Sequence, residues 1–454
     1  MECLWGFTYI AVILVAGYTV MRLLLKSPPD SPAKVFALSF GLGAGTVSFI
    51  FFLNGLIFGT PPSLNIIIFL FLASLILLFV YNRKNPFKPK SLKFAFDPMA
   101  ILTVSVIAIM FSVVFLHSIM PLYEWDAFAI WGLKAKVLLH EGLGLKSDYF
   151  QNHNLTYSHP EYPLLVPYLM SGACLAGNHH EFFYKIIFPF FYLAFTCLIY
   201  TAARWKLKRA HALFITAIFA STPALVRWSG AGTADMILSF FYAGSIIYLI
   251  KFFDDDEFHN LMISVLFSLF SAFTKNEGLP LVMINIAALT IFTSTPSLKM
   301  KKLKAPVVYI SAFLILYLPW LLFSLKIPKL HENYLGNITV AKFAANIGRL
   351  PLIIHEMGSQ FLSLKNWGLF WILMSVAVIV GGRLFKERAV ILLWCMFVGH
   401  FLLYALVYII SPYAFPELIS QTIDRLYLHL LPVGVLITIM HLSAVPTMRE
   451  EEDA

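Results

Sequence analysis

The segment YEWDAFAIWGLKAKVLLHEG, from Tyr123 to Gly142, sets Glu124, Asp126, Lys134 and Lys136 into a chain that is otherwise strongly apolar. Placed at the surface of a bilayer, such a carboxylate can meet both a lipid headgroup and a water-borne hydroxyl. The plainer role for Asp126 is to cap the helix that follows it. Three more charged clusters share this setting. VRWSGAGTADMILSFF puts Arg227 before a turn and Asp235 just inside the next apolar run. SAFTKNEGLPLVM puts Lys275 and Glu277 between two apolar runs with barely a loop. SQTIDRLYLHLLP puts Asp424 and Arg425 at the head of the last run, with His429 one turn deeper. A charge inside a membrane helix costs roughly 2.5–3.5 kcal/mol on insertion scales, so it normally faces a cavity or a partner. Snorkelling would account for one such cluster at a helix end. Four at the same side of the membrane point to one polar cavity that opens outward.

Those clusters must be positioned by membrane helices. Hydrophobic residues make up 59% of the 454 residues and charged ones 13%, and mean hydropathy is +0.80. Soluble domains carry about 25% charged residues, so the composition defines an all-α polytopic membrane protein. Runs of about 20 apolar residues predict thirteen helices, near 3–21, 35–58, 64–81, 98–120, 182–203, 211–228, 234–252, 261–274, 279–294, 305–325, 367–382, 389–410 and 427–444. The first run has no basic residue before it, and Arg22 and Lys26 follow it. That charge order fits a spanning helix with its N-terminus outside, not a cleaved signal peptide. The thirteen-span thread then puts 21 of the 33 basic residues on the inner side, as the positive-inside rule asks. Counting 162–177 as a further span would put RWKLKR and KMKKLK outside, so that stretch is expected to lie in or dip into the outer interface.

The net charge of +9 belongs to those inner loops and gives no reason to invoke nucleic acid as a partner. Cys3, Cys174, Cys197 and Cys395 lack disulfide or metal spacing and read as packing residues. His159, His179 and His180 lack ligand spacing too. Two long outer segments remain, 121–181 and 326–366. In the first, residues 125–141 read as an interfacial amphipathic helix. At 100° per residue, Asp126, Lys134, Lys136, His140 and Glu141 share one arc, with Phe128, Trp131, Ala135, Leu138 and Leu139 opposite.

Several of these motifs resemble the C superfamily of membrane glycosyltransferases (GT-C), which includes protein O-mannosyltransferases, the lipid A aminoarabinose transferase and the oligosaccharyltransferase catalytic subunit. The resemblance rests on Asp126 in the first large outer loop, HPEYPLLVPYL (159–169) closing that loop, RWSGAGTAD (227–235), TKNEG (274–278) and, more loosely, DRLYLHLLP (424–432). It implies a GT-C-like fold with juxtamembrane helices in the first outer loop. Residues 98–454 would form the catalytic module, and residues 1–97 would be additional N-terminal transmembrane helices. It further implies that an acid in that loop is the catalytic base. Asp126 stands at the matching position and Glu124 is the alternative, because Trp125 separates what is an adjacent acidic pair in many members.

The same resemblance assigns the lipid phosphate to Lys275 and Arg425 and matches Asp235 to the acid of the second loop. Arg227, Glu277, Tyr162, His159 and Lys134 complete the implied substrate-binding set. A single acid followed by Met236, in place of an acidic pair, is similar to the metal-independent branch. No cofactor is therefore expected, with a divalent metal left open. The implied activity is transfer of a sugar from a polyprenyl-phosphate donor to an acceptor hydroxyl, with inversion, at the outer face of a multi-pass membrane protein, plausibly the bacterial inner membrane. The implied partners are that lipid-linked donor, membrane lipids and an acceptor that is a glycolipid, a polysaccharide or a protein. The rival functions are a transporter or flippase of a lipid-linked or anionic substrate, and a ligase or polymerase of surface polysaccharide.

Overall fold

The computed structural model describes residues 2–25, 29, 31–86, 97–143, 148–293, 304–328, 336–382, 387–413 and 415–449. The chain begins with α1 (Glu2–Leu24), α2 (Pro32–Phe58), α3 (Leu64–Lys84) and α4 (Pro98–Ser118). A π-helix (Asp126–Gly132) runs directly into α5 (Leu133–His140), followed by α6 (Asp148–Gln151) and α7 (Leu165–Ala176). Next come α8 (Phe188–Lys206), α9 (Arg209–Ala220), α10 (Pro223–Gly230), α11 (Asp235–Asp255), α12 (Phe258–Thr274) and α13 (Gly278–Thr293). The last part holds α14 (Ala305–Ser324), α15 (Val340–Asn346), α16 (Leu350–Leu362), α17 (Leu364–Trp367), α18 (Phe370–Val380), α19 (Arg388–Ile410) and α20 (Phe415–Leu442). Among the described residues there is no strand, only an isolated bridge between Leu207 and Arg449.

Nine of these helices, α1–α4, α8, α11, α14, α19 and α20, are long and apolar enough to cross a membrane. The other four expected spans fold differently. Residues 211–228 form α9 and α10, bent by 58° at a short break. Pro223 opens the second helix without an N–H to continue the first, and Thr222 before it is extended. Residues 261–274, 279–294 and 367–382 fall on α12, α13 and α18, which are 17, 16 and 11 residues long. At about 1.5 Å per residue these fall short of a 30 Å hydrocarbon core. The basic loops near 88–93, 299–302 and 383–386 lie outside the described residues.

The helices sort into an inner and an outer set. α11 and α20 are buried along nearly their whole length and pack on each other, with α12 and α8 against α11. By contrast α3 buries only Ile67, Leu70 and Ser74 and turns Ile68, Phe69, Leu72 and Ile76 outward, a surface suited to lipid. α1 and α2 close on each other through Gly17 and Gly43, where a Cβ would collide with the backbone of Ser39 and Ile13. Small residues permit such close approach in membranes. A polar hub ties the inner set together: Asn285 Nδ2 donates to Ser245 Oγ at 2.8 Å and Ser268 Oγ at 3.3 Å, and Ser264 Oγ donates to Ser245 O at 2.7 Å.

One further expectation is corrected, and the stretch 162–177 holds a helix buried inside the protein. α7 is buried along its whole length among α1, α2 and α5, because it is apolar on every side. Ser171 donates to Ala135 O at 2.8 Å, and Ser48 of α2 donates to Leu165 O at 3.0 Å. The last span begins at Phe415, not near 427, so Asp424 and Arg425 sit well inside α20 and not at its head.

Candidate active site

Asp126 opens the π-helix that follows the α4–π-helix loop. Two features hold that loop. Lys185, just ahead of α8, donates from Nζ to the carbonyls of His117 (3.0 Å), Pro121 (3.3 Å) and Gly230 (3.4 Å). It thereby satisfies carbonyls at the C-terminal ends of α4 and α10, which have no partners within their own helices. Gly132 lets the loop lie close, since a Cβ there would run into Leu122 and the carbonyl of Ala127.

From this anchor the charged side chains meet. Arg425 on α20 donates Nη1 to Asp126 Oδ2, across 299 residues of sequence. The same Nη1 stands 3.8 Å from Asp235 Oδ2 at the start of α11. Asp235 Oδ1 accepts from Lys275 Nζ at 2.9 Å, and Lys275 also pairs with Glu277 Oε1 at 2.7 Å. His429, one turn below Arg425, brings Nε2 to 3.8 Å from Asp235 Oδ1 and shares a 3.3 Å hydrogen bond through Nδ1 with Tyr404. Nearer the protein surface, Arg227 lies 3.7 Å from Glu124 and 3.8 Å from Asp424. Trp228 joins the two layers. Its indole N–H donates to Asp424 Oδ2 at 3.0 Å, and the guanidinium carbons of Arg227 and Arg425 lie 4.6 and 5.6 Å from its ring centre.

Exposure sets the depth of each group. The Arg227 side chain is 57% exposed, Asp126 26%, Arg425 15%, Lys275 8% and Asp235 1%. The site is thus a graded ion network, with an open cation at the mouth and a closed ion pair at the floor. Burial alone would drive the Lys275 ammonium down. The Asp235 and Glu277 carboxylates more than reverse this and hold it above the ordinary lysine range. Asp235 and Lys275 point at each other and not at lipid. All four charged clusters singled out in the sequence therefore converge.

Lys134, His159 and Tyr162 do not join this network. Lys134 is fully buried and not on a solvated arc. The reason is the π-helix: its i→i+5 turns are wider than α-turns, so a count at 100° per residue from Asp126 misplaces Lys134 and Phe128, although Lys136, His140 and Glu141 are exposed and Trp131, Ala135, Leu138 and Leu139 buried as expected. The Lys134 amine lies 5.1 and 5.2 Å from the ring centres of Trp131 and Tyr162, and its Nζ has no hydrogen-bond partner among the described residues. Burial, opposed by Glu161, pulls it down to about 7. His159 stacks on Tyr162 at 4.5 Å and stands 3.3 Å from Glu161. A cavity of about 540 Å³ lies beside the π-helix, lined by Phe128, Leu133, Lys136, Glu181 and Lys185 among others, and Asp126 does not line it. Lys185 went unread in the sequence, and Trp228 and Glu161, though inside RWSGAGTAD and HPEYPLLVPYL, were given no role. A lysine flanking an apolar run, as in FFYK, was the available signal for the first.

A family model described as dolichyl-phosphate-mannose-protein mannosyltransferase, a GT-C family, matches residues 158–323. The matched stretch holds His159, Tyr162, Arg227, Asp235, Lys275 and Glu277 but ends short of Asp126 and Arg425 on either side. No curated protein and no solved structure matches the chain. The chain resembles the GT-C glycosyltransferases both in its own motifs and through this model, and it is a multi-pass integral membrane protein.

Proposed function

We propose that this protein transfers a sugar from a polyprenyl-phosphate donor to an acceptor hydroxyl at the outer face of the bacterial inner membrane, with inversion. The observation that carries this is the meeting of Asp126, Arg425, Asp235 and Lys275 from four distant parts of the chain. On this reading the thirteen-span thread holds, with α9 and α10 as one broken span and α12, α13 and α18 as short ones. Residues 98–454 are the catalytic module, and residues 1–97 buttress it. Nucleotide sugars stay in the cytoplasm, so an outward-facing site needs a sugar already carried across on a lipid.

Asp126 takes the proton of the acceptor hydroxyl as its oxygen attacks the anomeric carbon. The bond from that carbon to the phosphate oxygen breaks, and the lipid phosphate departs. A placed general base contributes about 10²–10⁴-fold. Arg425, whose fork suits a phosphate, stabilises the departing charge, and the open Arg227 captures the donor. Lys275, held by two carboxylates, serves instead to fix Asp235 and the floor of the site. Because the ammonium of Lys275 already holds Asp235, that acid is better suited to an organic cation than to a resident metal, and no cofactor is assigned. The acceptor is a glycolipid, a polysaccharide or a protein.

A reconstituted assay with a monosaccharide polyprenyl phosphate tests the function. Release of polyprenyl phosphate coupled to sugar transfer is expected. Movement of the intact lipid-linked sugar without bond cleavage would favour a flippase, and activity only with long lipid-linked chains would favour a polysaccharide ligase.

A further inference from the structure

Each cation of the ion network is already engaged by carboxylates. Arg425 is bonded to Asp126, Lys275 to Asp235 and Glu277, and Arg227 stands between Glu124 and Asp424. Five acids thus surround three bases. An arriving phosphate can gain a direct ion pair at depth only if a carboxylate lets go. The pairs differ in how freely they can do so. Asp235 is 1% exposed, and releasing Lys275 would leave a bare charge in the interior. Arg227 is open and loosely paired, so it offers capture but little hold. Asp126 is 26% exposed and opens its helix, so its carboxylate can turn to water. Arg425 would meanwhile keep Asp235 at 3.8 Å as its counter-charge.

We propose that Arg425 is shared between Asp126 and the donor phosphate: the phosphate takes the guanidinium from Asp126, and the carboxylate so released becomes the base. The proposal rests on the assignment of this site to a lipid-phosphate donor. Until the donor arrives, the Asp126 oxygen facing Arg425 is occupied by its N–H and does not serve the acceptor. Donor binding therefore precedes activation of the acceptor hydroxyl, and one residue couples the two substrates.

The test is a titration of the full-length protein in detergent with farnesyl phosphate, a short isoprenoid bearing the phosphate alone. Wild type, Asp126→Asn, Arg425→Gln and the double variant are compared, with the melting temperature of each recorded. An amide competes less well than a carboxylate for a guanidinium, so Asp126→Asn is expected to bind about 5- to 10-fold more tightly. Arg425→Gln is expected to bind about 10-fold more weakly, and in that background Asp126→Asn should change nothing. Affinity in Asp126→Asn equal to or below wild type overturns the exchange. A gain that persists in the double variant also overturns it, because it would come from loss of charge in general. Wild-type affinity in Arg425→Gln would instead refute the assignment of the site to a phosphate donor. If Arg425→Gln does not fold, Arg425→Lys takes its place in both the single and the double variant, and a gain from Asp126→Asn that is undiminished in that background overturns the exchange.

Discussion

Replacing Asp235 by asparagine tests whether the floor of the site is held by charge. Asp235 is 1% exposed, accepts from Lys275 at 2.9 Å and stands 3.8 Å from both Arg425 and His429. Removing one member of a buried ion pair costs about 3–5 kcal/mol, since the partner is left charged and unpaired. Lys275 keeps Glu277 at 2.7 Å, and that carboxylate is 32% exposed, which places the expected loss at the lower end, about 3 kcal/mol. Lys275→Met should cost about the same. The double variant leaves no unpaired ammonium, so it should cost no more than either single variant, a coupling of about 3 kcal/mol against the sum of the two losses. Reversible unfolding in mixed micelles measures each term. The sign of the pH dependence is also fixed. The folded Lys275 is held above the ordinary lysine value of 10.5, so the stabilisation is complete below that value and is lost only as pH rises through the folded one. Around neutrality this pair should contribute no slope. An Asp235→Asn variant within about 0.5 kcal/mol of wild type, the range of ordinary surface changes, would refute the reasoning.

Three other outcomes are expected. Lys134 falls to about 7 in the fold against 10.5 free, so between those values the unfolded chain binds the extra proton. Stability should rise with pH there by at most about 1.4 kcal/mol per unit. Lys134→Met should flatten that slope in pH-dependent unfolding, and an unchanged slope would show that the amine is not buried in its charged form's disfavour. Asn285→Leu removes the donor that joins Ser245 and Ser268 and should cost about 0.6–1.7 kcal/mol in the same micellar assay; no loss would mean the hub is replaceable. Arg227→Ala should raise the donor KM about 10-fold with little change in kcat, as loss of uniform binding does. A fall in kcat at constant KM would place Arg227 in the transition state instead.

The charged half of the site was legible because a charge in an apolar chain is costly and must find a partner. The clusters that hold Asp126, Asp235, Lys275 and Arg425 stood out on that ground, the resemblance singled out these four within them, and they meet. Which cation takes which acid was not legible, since pairing depends on how α11, the turn at Lys275 and α20 pack. Lys275 and Arg425 look alike in sequence, yet one is locked at the floor and the other lies beside Asp126. Lys134 was misplaced because hydropathy carries no sign of a π-helix. The long apolar runs were found readily, whereas their breaks were not. Thr222–Pro223 splits one run, and α20 extends outward through Leu418, Ile419 and Ile423, a helical repeat hidden among polar residues. α7 was apolar enough to be noticed, but its burial within the outer loop follows from tertiary contacts with α2 and α5.

The central claim, that Asp126 is the base of a glycosyl transfer, is tested most directly by turnover of Asp126→Asn in liposomes with a monosaccharide polyprenyl phosphate as donor. Asparagine keeps the size of aspartate but does not take the proton. Turnover is expected to fall by about 10²-fold or more, with yield and melting temperature near wild type, while Glu124→Gln has a milder effect. Full activity in Asp126→Asn beside a dead Glu124→Gln would move the role to Glu124, and activity surviving in both would contradict the glycosyltransferase mechanism.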